Sequence, residues 1–507
     1  MRYLFPLLIS LLLCHTTLAF PVDLTVLGSE DTVSRTDTLV TTSPALAEKY
    51  RSKDEEGEPI QPEALASMAN DYLAKGNNEL AYAYAKKGRA LSDDCQFDKI
   101  ISIAAFYCPN GKEDGFAALN RLLLRKSTPE GLRKLSMQNL RFYLTPLENL
   151  TLRPILFDLP HFRDPKEISR TIWPAATNWS VNDRSSPRGH YRARHDRSHP
   201  NDLARPNCLD YFFQVPTGNS SQSYFATNPS IVTTQTGYTV LCRTVNYTHE
   251  RGRNYHSADP LDPIIRTRNF MLTYSKELQL LSQKEIIENL ARTRWSSKVV
   301  GLEDCRLFMN PSGLGFTCST YDTNPRCIPQ ISLCTLNEEQ EVKSLIPLQG
   351  PVSGQCEKNW LPFYKDGSLH VVYSFDPFTV YKVNEADGTC RKDFCYEPQY
   401  SFTSFRGSAG PIVFDGGYLI IVHEVSFTEQ AERIYSHRFV FLDKEFVVTK
   451  VSRPFSFQHT GVEYCCGMTM DHDGKNILIT CGIEDHSAFI GSVPVETVRS
   501  LLFELGL

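Results

Sequence analysis

Apolar and polar positions change period along this chain. From Pro62 onward, Leu65, Met68, Ala69, Tyr72 and Leu73 fall on one face at helical spacing. The stretch "AKGNN" breaks that helix at Gly76, and Leu80, Ala81, Tyr84 and Ala85 open a second one. A helix, a Gly-Asn turn and a helix give the spacing of one tetratricopeptide-like repeat, and equally that of any α-hairpin. Further helices are expected over 115–126 and 129–142. From about residue 208 the texture is β. Short runs rich in Val, Ile, Tyr and Phe recur between Gly, Asp, Asn and Pro: "GYTVLCRTV", "GLGFTCSTY", "GSLHVVYSF", "GGYLIIVHEV", "HRFVFLD", "KNILITCGI". Such strands suit a sandwich, barrel or propeller. The 300 residues from 208 to 507 are many for one sandwich. They divide into five units of roughly 60, about right for four-stranded blades with insertions. The expected fold is mainly β with an α-helical N-terminal region, the β part being a five-bladed β-propeller.

The expected layout is a signal peptide over 1–19, a flexible leader over 20–58, a helical region over 59–157, an irregular basic linker over 158–207 and the propeller over 208–507. Arg2, the apolar core "LFPLLISLLLC" and the small Ala19 form the signal pattern. The core is short for a membrane span, so the expectation is a secreted, extracytoplasmic protein with no membrane span after cleavage. The leader is Thr/Ser-rich and acidic. The linker is rich in Arg and His ("RGHYRARHDRSH") and reads as a solvated loop or as an overhang above an anion site. A net charge of −5 argues against a general nucleic-acid binder. Loss of the signal removes Cys14 from the 15 cysteines. Of the even number left, some are expected to pair in an oxidising compartment, with "CRKDFC" (Cys390, Cys395) as a local loop staple. No cysteine or histidine spacing points to a metal, and no cofactor is expected. Sequons stand at Asn149, Asn178, Asn219 and Asn246.

Candidate chemistry begins in "VGLEDCRLF", residues 300–308. Strand alternation would put Glu303 with Cys305 on one face and Asp304 with Arg306 on the other. Two carboxylates and a guanidinium near a sheet interior must be paired to be tolerated. They form either an ion pair closing a turn or part of a polar site. Arg243, Arg306, Asp376, His423 and Asp485 all sit directly after apolar strands. In a propeller, equivalent strand ends converge on the axis, so these side chains would meet in one axial pocket.

The order of segments carries a resemblance. "NPSIV…GYTVLCRTVNY", "GLEDCRLF", "EKNWLPF", "GSAGPIVFDGGYLIIVHEV", "YSHRFVFLD" and "CCGMTMDHDGKNILITCGIEDHSAFIGSV" resemble, over about residues 225–495, the five-bladed propellers of glycoside hydrolase family 130. These are largely β-mannoside phosphorylases, and glycosyltransferase family 108 shares their architecture. Cys305 stands where the family motif Glu-Asp-Pro-Arg has proline. The resemblance implies attack on the anomeric carbon of a mannoside with inversion, with inorganic phosphate or a sugar phosphate as co-substrate. It implies Arg306, Lys358 and His423 as anion ligands, which Arg243 and Arg406 could join. Asp304 and Asp485 would grip sugar hydroxyls, with Asp304 and Glu303 the candidate catalytic carboxylates. Trp360 or Tyr373 would stack on a sugar ring, and Asn246 and Asp376 are further sugar-binding candidates. The chain departs from the family at one point. Asn246, in "CRTVNY", stands where the phosphorylases carry an acid, and asparagine cannot donate that proton. His249, Glu250 and Asp259 are nearby substitutes. Three readings follow. One is an enzyme acting on mannosides or a sugar phosphate. Another is a glycan-binding propeller without catalysis. The third is a scaffold whose helical region binds a protein partner.

Overall fold

The computed structural model describes residues 60–157 and 224–505, apart from residue 251, residues 258–263, residue 312 and residue 429. The expected signal, leader and basic linker lie outside the described residues. The chain forms two compact units, one ending at Ser92 and one running Asp93–Leu507.

The described part of the first unit is an α-hairpin. Helix α1 (Pro62–Ala74) begins with proline, whose missing N–H costs nothing at a helix start. Gly76, at φ +75°, makes the turn. Asn77 caps α2 (Asn78–Leu91) by accepting the Leu80 N–H at 3.2 Å. Tyr72 and Tyr84 stack across the pair at 5.5 Å.

The second unit opens with α3 (Cys95–Ala104), α4 (Lys112–Leu124) and α5 (Glu130–Tyr143). The last two match the expected helices. The segment "CQFDKIISIA" of α3 is short and β-branched, which hides its helical character from pattern reading. Buried Asp98 holds Arg121 at 2.8 Å. Asn120 of α4 accepts from Arg438 at 2.6 Å, and Glu113 meets Arg453 at 3.2 Å. The first bond joins α3 to α4, and the other two fasten α4 to the sheet region.

Five antiparallel sheets follow. The first blade is β2 (Phe225–Thr233), β3 (Gly237–Val245), β6 (Ile265–Ser275) and β7 (Leu280–Ile286). A small hairpin of β4 (Tyr247–Glu250) and β5 (Arg253–Ser257) is inserted after β3, and β8 (Val299–Val300) pairs parallel with β6. The second blade is β9 (Glu303–Asn310), β10 (Gly313–Thr320), β11 (Gln330–Leu336) and β12 (Val342–Pro347). The third is β13 (Leu361–Lys365), β14 (Ser368–Phe375), β15 (Phe378–Val383) and β16 (Cys390–Tyr396). The fourth is β17 (Arg406–Phe414), β18 (Gly417–Phe427), β19 (Arg433–Leu442) and β20 (Val448–Ser452), edged by β24 (Leu502–Glu504). The fifth is β21 (Glu463–Met470), β22 (Asn476–Ile483) and β23 (Ser487–Pro494). Its fourth strand is β1 (Thr151–Pro154), antiparallel to β23 from Thr151↔Ser492 to Pro154↔Phe489. The ring is thus closed by a segment that precedes the first blade, which removes an open sheet edge.

The first strands of the blades, β2, β9, β13, β17 and β21, neighbour one another in a closed cycle. Each pair of adjacent blades shares its own apolar core. Ile421, Phe439 and Ile479 lie between the fourth and fifth blades, and Phe378, Val372 and Val440 between the third and fourth. Removing such surface from water drives blade against blade, at about 25 cal/mol per Å². The molecule is therefore a five-bladed propeller with helices ahead of it, as the sequence pattern predicts.

One covalent expectation is corrected. Cys390 and Cys395 occupy the two ends of one extended strand, β16, and every described cysteine is a free thiol. Five residues of strand span about 17 Å, far beyond the reach of a disulfide. Among the described residues, no helix is long and apolar enough to cross a membrane.

Candidate functional site

First strands begin, and second strands end, at the same face of the propeller. There the chain places Asn228, Arg243, Glu303, Asp304, Lys358, Arg406, His423 and Asp485. Backbone irregularity accompanies them. Four of the five inner strands carry a register shift near this face: after Thr227, opposite Thr317, after Gly407 and after Cys465. Asn228, Asp304, Asn359 and Asp485 have φ of +43°, +47°, +66° and +48°. Bulges re-aim side chains, and left-handed non-glycine backbone tolerates Asn and Asp best. Strand alternation therefore fails at Glu303 and Asp304, the point where it was used to separate them.

Arg243 binds both carboxylates. One terminal nitrogen meets Glu303 Oε1 and the other Asp304 Oδ1, each at 2.8 Å, while Nε donates to Thr267 Oγ1 at 3.2 Å. Glu303 Oε2 takes Lys358 Nζ at 3.2 Å, and that ammonium also donates to Tyr321 OH at 2.7 Å. Asn228 donates to Asp304 Oδ1 at 3.0 Å. Thr227 Oγ1 lies 2.9 Å from Asn228 Oδ1 and 3.4 Å from Asp485 Oδ1, joining the two aspartates through a polar bridge. Asp485 Oδ2 accepts from Tyr247 OH at 3.0 Å and faces His249 Nε2 at 3.5 Å.

The charges follow from these partners. Burial works against the Asp304 carboxylate, but Arg243, Lys358 and Arg306 outweigh it and hold its pKa below the ordinary value. Asp485 is also depressed, burial being overcome by the His249 hydrogen bond and by Arg243. Burial opposes the Lys358 charge too, yet Glu303, Tyr321 and Asp304 raise its pKa above that of a free lysine. His423 is pushed well below its usual pKa by burial and then by His437, Arg306 and Arg406, so it is a neutral imidazole. Its Nδ1 is 2.9 Å from Ser408 Oγ.

The cluster gathers Arg243, Glu303, Asp304 and Lys358 through direct bonds and Asp485 through the Thr227–Asn228 bridge. Arg406 is exposed, faces His423 across the β17–β18 ladder, and has no polar partner among the described residues. Four sequence expectations change. Arg306 is buried and donates to the carbonyls of Asp304, Gly407 and Ser408, to Asn359 Oδ1 and to Tyr464 OH. It pins three inner strands together instead of standing open to an anion. Asn246 is fully buried; its amide donates to Ile264 O at 3.0 Å and accepts from Arg266 N at 2.6 Å. It clamps backbone and is out of reach of a sugar or a glycosylating enzyme. Trp360 is 1% exposed in the core between the second and third blades, its Nε1 on Glu357 and its edge on Tyr373, with no face left for a ring. Asp376 caps Phe402 N at 3.0 Å and neighbours Lys126 at 3.9 Å, apart from the cluster. Glu303 has both oxygens engaged, which makes it an organiser of the cations. Asp259 and the Glu250 side chain lie outside the described residues.

Sequence reading missed Asn228, Tyr247, Tyr321, Asn359 and Tyr464. The available signal was Asn or Asp directly before or within an inner strand, as in "TNPS" and "EKNW". The axis holds a cavity of about 260 Å³, lined by Arg306 and Cys466 together with Ile231, Met309, Tyr364, Val413 and Met468. No group of three or more His, Cys, Asp or Glu among the described residues is disposed to hold a metal ion.

No protein-family model matches the chain. Over 138 residues it is 31% identical to beta-mannosyltransferase 1 of Komagataella phaffii, covering 24% of this chain and 21% of that protein, so the match spans about a fifth of the curated relative. Among solved structures, it is similar to the β-1,2-mannobiose phosphorylase of Listeria innocua (TM-score 0.39, 12% identity, 56% of this chain and 93% of that one). It is also similar to a mannose phosphorylase of Leishmania mexicana (TM-score 0.36, 12% identity, 57% and 89%) and a thermostable family-43 glycoside hydrolase (0.35, 8%, 58% and 96%). The chain itself is a five-bladed β-propeller preceded by helices, with a compact carboxylate, guanidinium and ammonium cluster where its inner strands begin.

Proposed function

We propose that this protein transfers a mannosyl group, with inversion, from a phosphate-activated donor to a hydroxyl of a glycan. The observation that carries this reading is the presence of two ionised aspartates and the exposed Arg406 at one end of the axis, where Asn246, at the position of the resembled family's acid, is turned into the backbone. Phosphorolysis and hydrolysis of a glycoside need a proton donor for a poor leaving group. A phosphate leaves as a stable anion and needs positive charge instead. Asp304 and Asp485 are held as carboxylates, suited to orient hydroxyls and to accept a proton. Arg406 is exposed, pairs across the ladder with His423, and suits a phosphate. The sequence likeness to a β-mannosyltransferase supports mannose as the sugar. The apolar N-terminal 19 residues support an extracytoplasmic setting.

A second reading, a glycan-binding propeller, is favoured by one feature. Arg243, Arg306 and Lys358 are balanced by Glu303, Asp304 and Asp485, which leaves Arg406 as the uncompensated cation of this group of residues among those described. The test is incubation of the full chain with mannotriose and either mannose 1-phosphate or a nucleoside diphosphate mannose. Extension of the acceptor, lost in Asp304→Asn, supports transfer. Saturable mannotriose binding with neither donor consumed sinks transfer and leaves the lectin reading.

A further inference from the structure

Within the transfer reading, on which this inference rests, we infer that Asp485 receives the proton of the acceptor hydroxyl and that His249 is the positioning residue that aims it. Two carboxylates border the site, and their partners differ. Asp304 Oδ1 is bound directly by the Arg243 guanidinium and by Asn228. A carboxylate paired to a guanidinium is a weak base. Among the described residues, Asp485 has no direct guanidinium bond: Oδ2 accepts from Tyr247 OH and lies 3.5 Å from His249 Nε2, and Thr227 reaches Oδ1 at the longer distance of 3.4 Å. Its Oδ1 therefore keeps lone-pair capacity for a substrate hydroxyl.

The His249 geometry is specific. Its side chain is fully buried. Nδ1 accepts the Gly252 N–H at 2.9 Å, which assigns the ring proton to Nε2. Nε2 is buried, makes no hydrogen bond among the described residues, and lies 3.5 Å from Asp485 Oδ2, a separation that a small shift would close into a bond. Gly252 is itself constrained. It sits at φ +79°, and an added Cβ would lie 2.9 Å from Arg433 carbons. The Gly252 N–H thus sets the tautomer that places the Nε2 proton beside Asp485. This hairpin is an insertion within the first blade, and Asp485 follows β22 in the fifth. Among the described residues, the charged and titratable groups near Asp485 are Arg243 from the first blade, Tyr247 and Tyr255 from the hairpin beside His249, Asp304 from the second blade, Tyr435 from the fourth and adjacent Glu484.

In the step itself, the acceptor oxygen forms a bond to the anomeric carbon. The bond from that carbon to the phosphate oxygen breaks, and its electron pair leaves on phosphate. The hydroxyl proton passes to Asp485, which later yields it to water. His249 keeps its own proton throughout.

The experiment compares wild type, Asp485→Asn, His249→Phe and His249→Gln as full chains, with mannotriose as acceptor and the two donors named above. Asp485→Asn is expected to lower kcat by at least 100-fold while mannotriose binding, followed by calorimetry, persists. His249→Phe is expected to lower kcat about 10-fold and to move the acid limb of kcat/KM to higher pH, because Asp485 loses a donor that favours its ionised form. His249→Gln, which restores an N–H donor, is expected to recover most of both. A His249→Phe or His249→Gln enzyme slowed with an unmoved acid limb, or an Asp485→Asn enzyme of near-normal kcat, overturns the inference while transfer stands. A wild-type chain that consumes neither donor overturns the transfer reading and this inference together.

Discussion

Arg243 and Asp304 lie 61 residues apart in the chain and meet at 2.8 Å, with the same guanidinium holding Glu303 at 2.8 Å. The fork of Arg243, 3% exposed, ties the first blade to the second at the mouth of the axis. Removing one member of such a buried group strands the others uncompensated. Arg243→Ala is expected to cost about 3–5 kcal/mol of unfolding free energy. Arg243→Lys is expected to restore only part of this, since an ammonium cannot replace the fork. Denaturant titration measures both, and a loss below 1 kcal/mol for Arg243→Ala would refute the pairing.

Acid should weaken this junction. The folded pKa of Asp304 is below the unfolded value, so the stability it supplies is fully present above about pH 4 and is lost as pH falls through the depressed folded value. Wild type is expected to lose more stability between pH 6 and pH 3 than Asp304→Asn does. Equal acid slopes in the two proteins would show that the ion pair contributes nothing.

Arg306 and Arg406 make a contrasting pair. The first is buried and spends its donors inside the protein; the second is exposed. Arg306→Ala is expected to destabilise the fold by about 3–5 kcal/mol. Arg406→Ala is expected to shift stability by less than about 0.5 kcal/mol, as surface changes do, and to raise KM for a phosphate donor about 10-fold. Reversal of this pattern in thermal melts and initial rates would exchange their roles.

Asn246 occupies the position where the resembled family has its acid, yet both ends of its amide hold backbone. Asn246→Ala is expected to cost about 1–3 kcal/mol by leaving buried backbone groups unpaired, with kcat changed less than its stability would suggest. Peptide mass spectrometry of material secreted from a glycosylating host should find Asn246 unmodified. Occupancy of that sequon would contradict its burial.

Closure of the ring depends on four residues. A chain beginning after Pro154 lacks β1, together with the helices bonded to Arg438 and Arg453, and leaves β23 unpaired along one edge. It is expected to aggregate or to melt without the cooperative transition of the longer chain. A cooperative, monomeric truncated chain would show that the other sheets hold the ring unaided.

Local patterns determined the architecture. Strand-length apolar runs between Gly, Asp and Asn turns reveal β-blades because alternation and turn chemistry act over a few neighbouring residues. Helices α4 and α5 were legible for the same reason, and α3 was not, since "KIISIA" satisfies both periods. Strand ends placed Arg243, Asp304 and Asp485 at one axis, and the family resemblance added Lys358, but the same strand-end argument also placed Asp376 there, and it lies apart. Which side chains face that axis was decided by tertiary structure. Bulges and left-handed residues at Asn228, Asp304 and Asn359 cancelled the alternation from which orientation is read. Arg306, Asn246, Trp360 and Asp376 turned to partners as far as 158 residues away in the chain or to backbone the sequence does not display. A buried polar group takes whichever donor or acceptor the assembled fold brings within about 3 Å, and only the folded chain specifies which one that is.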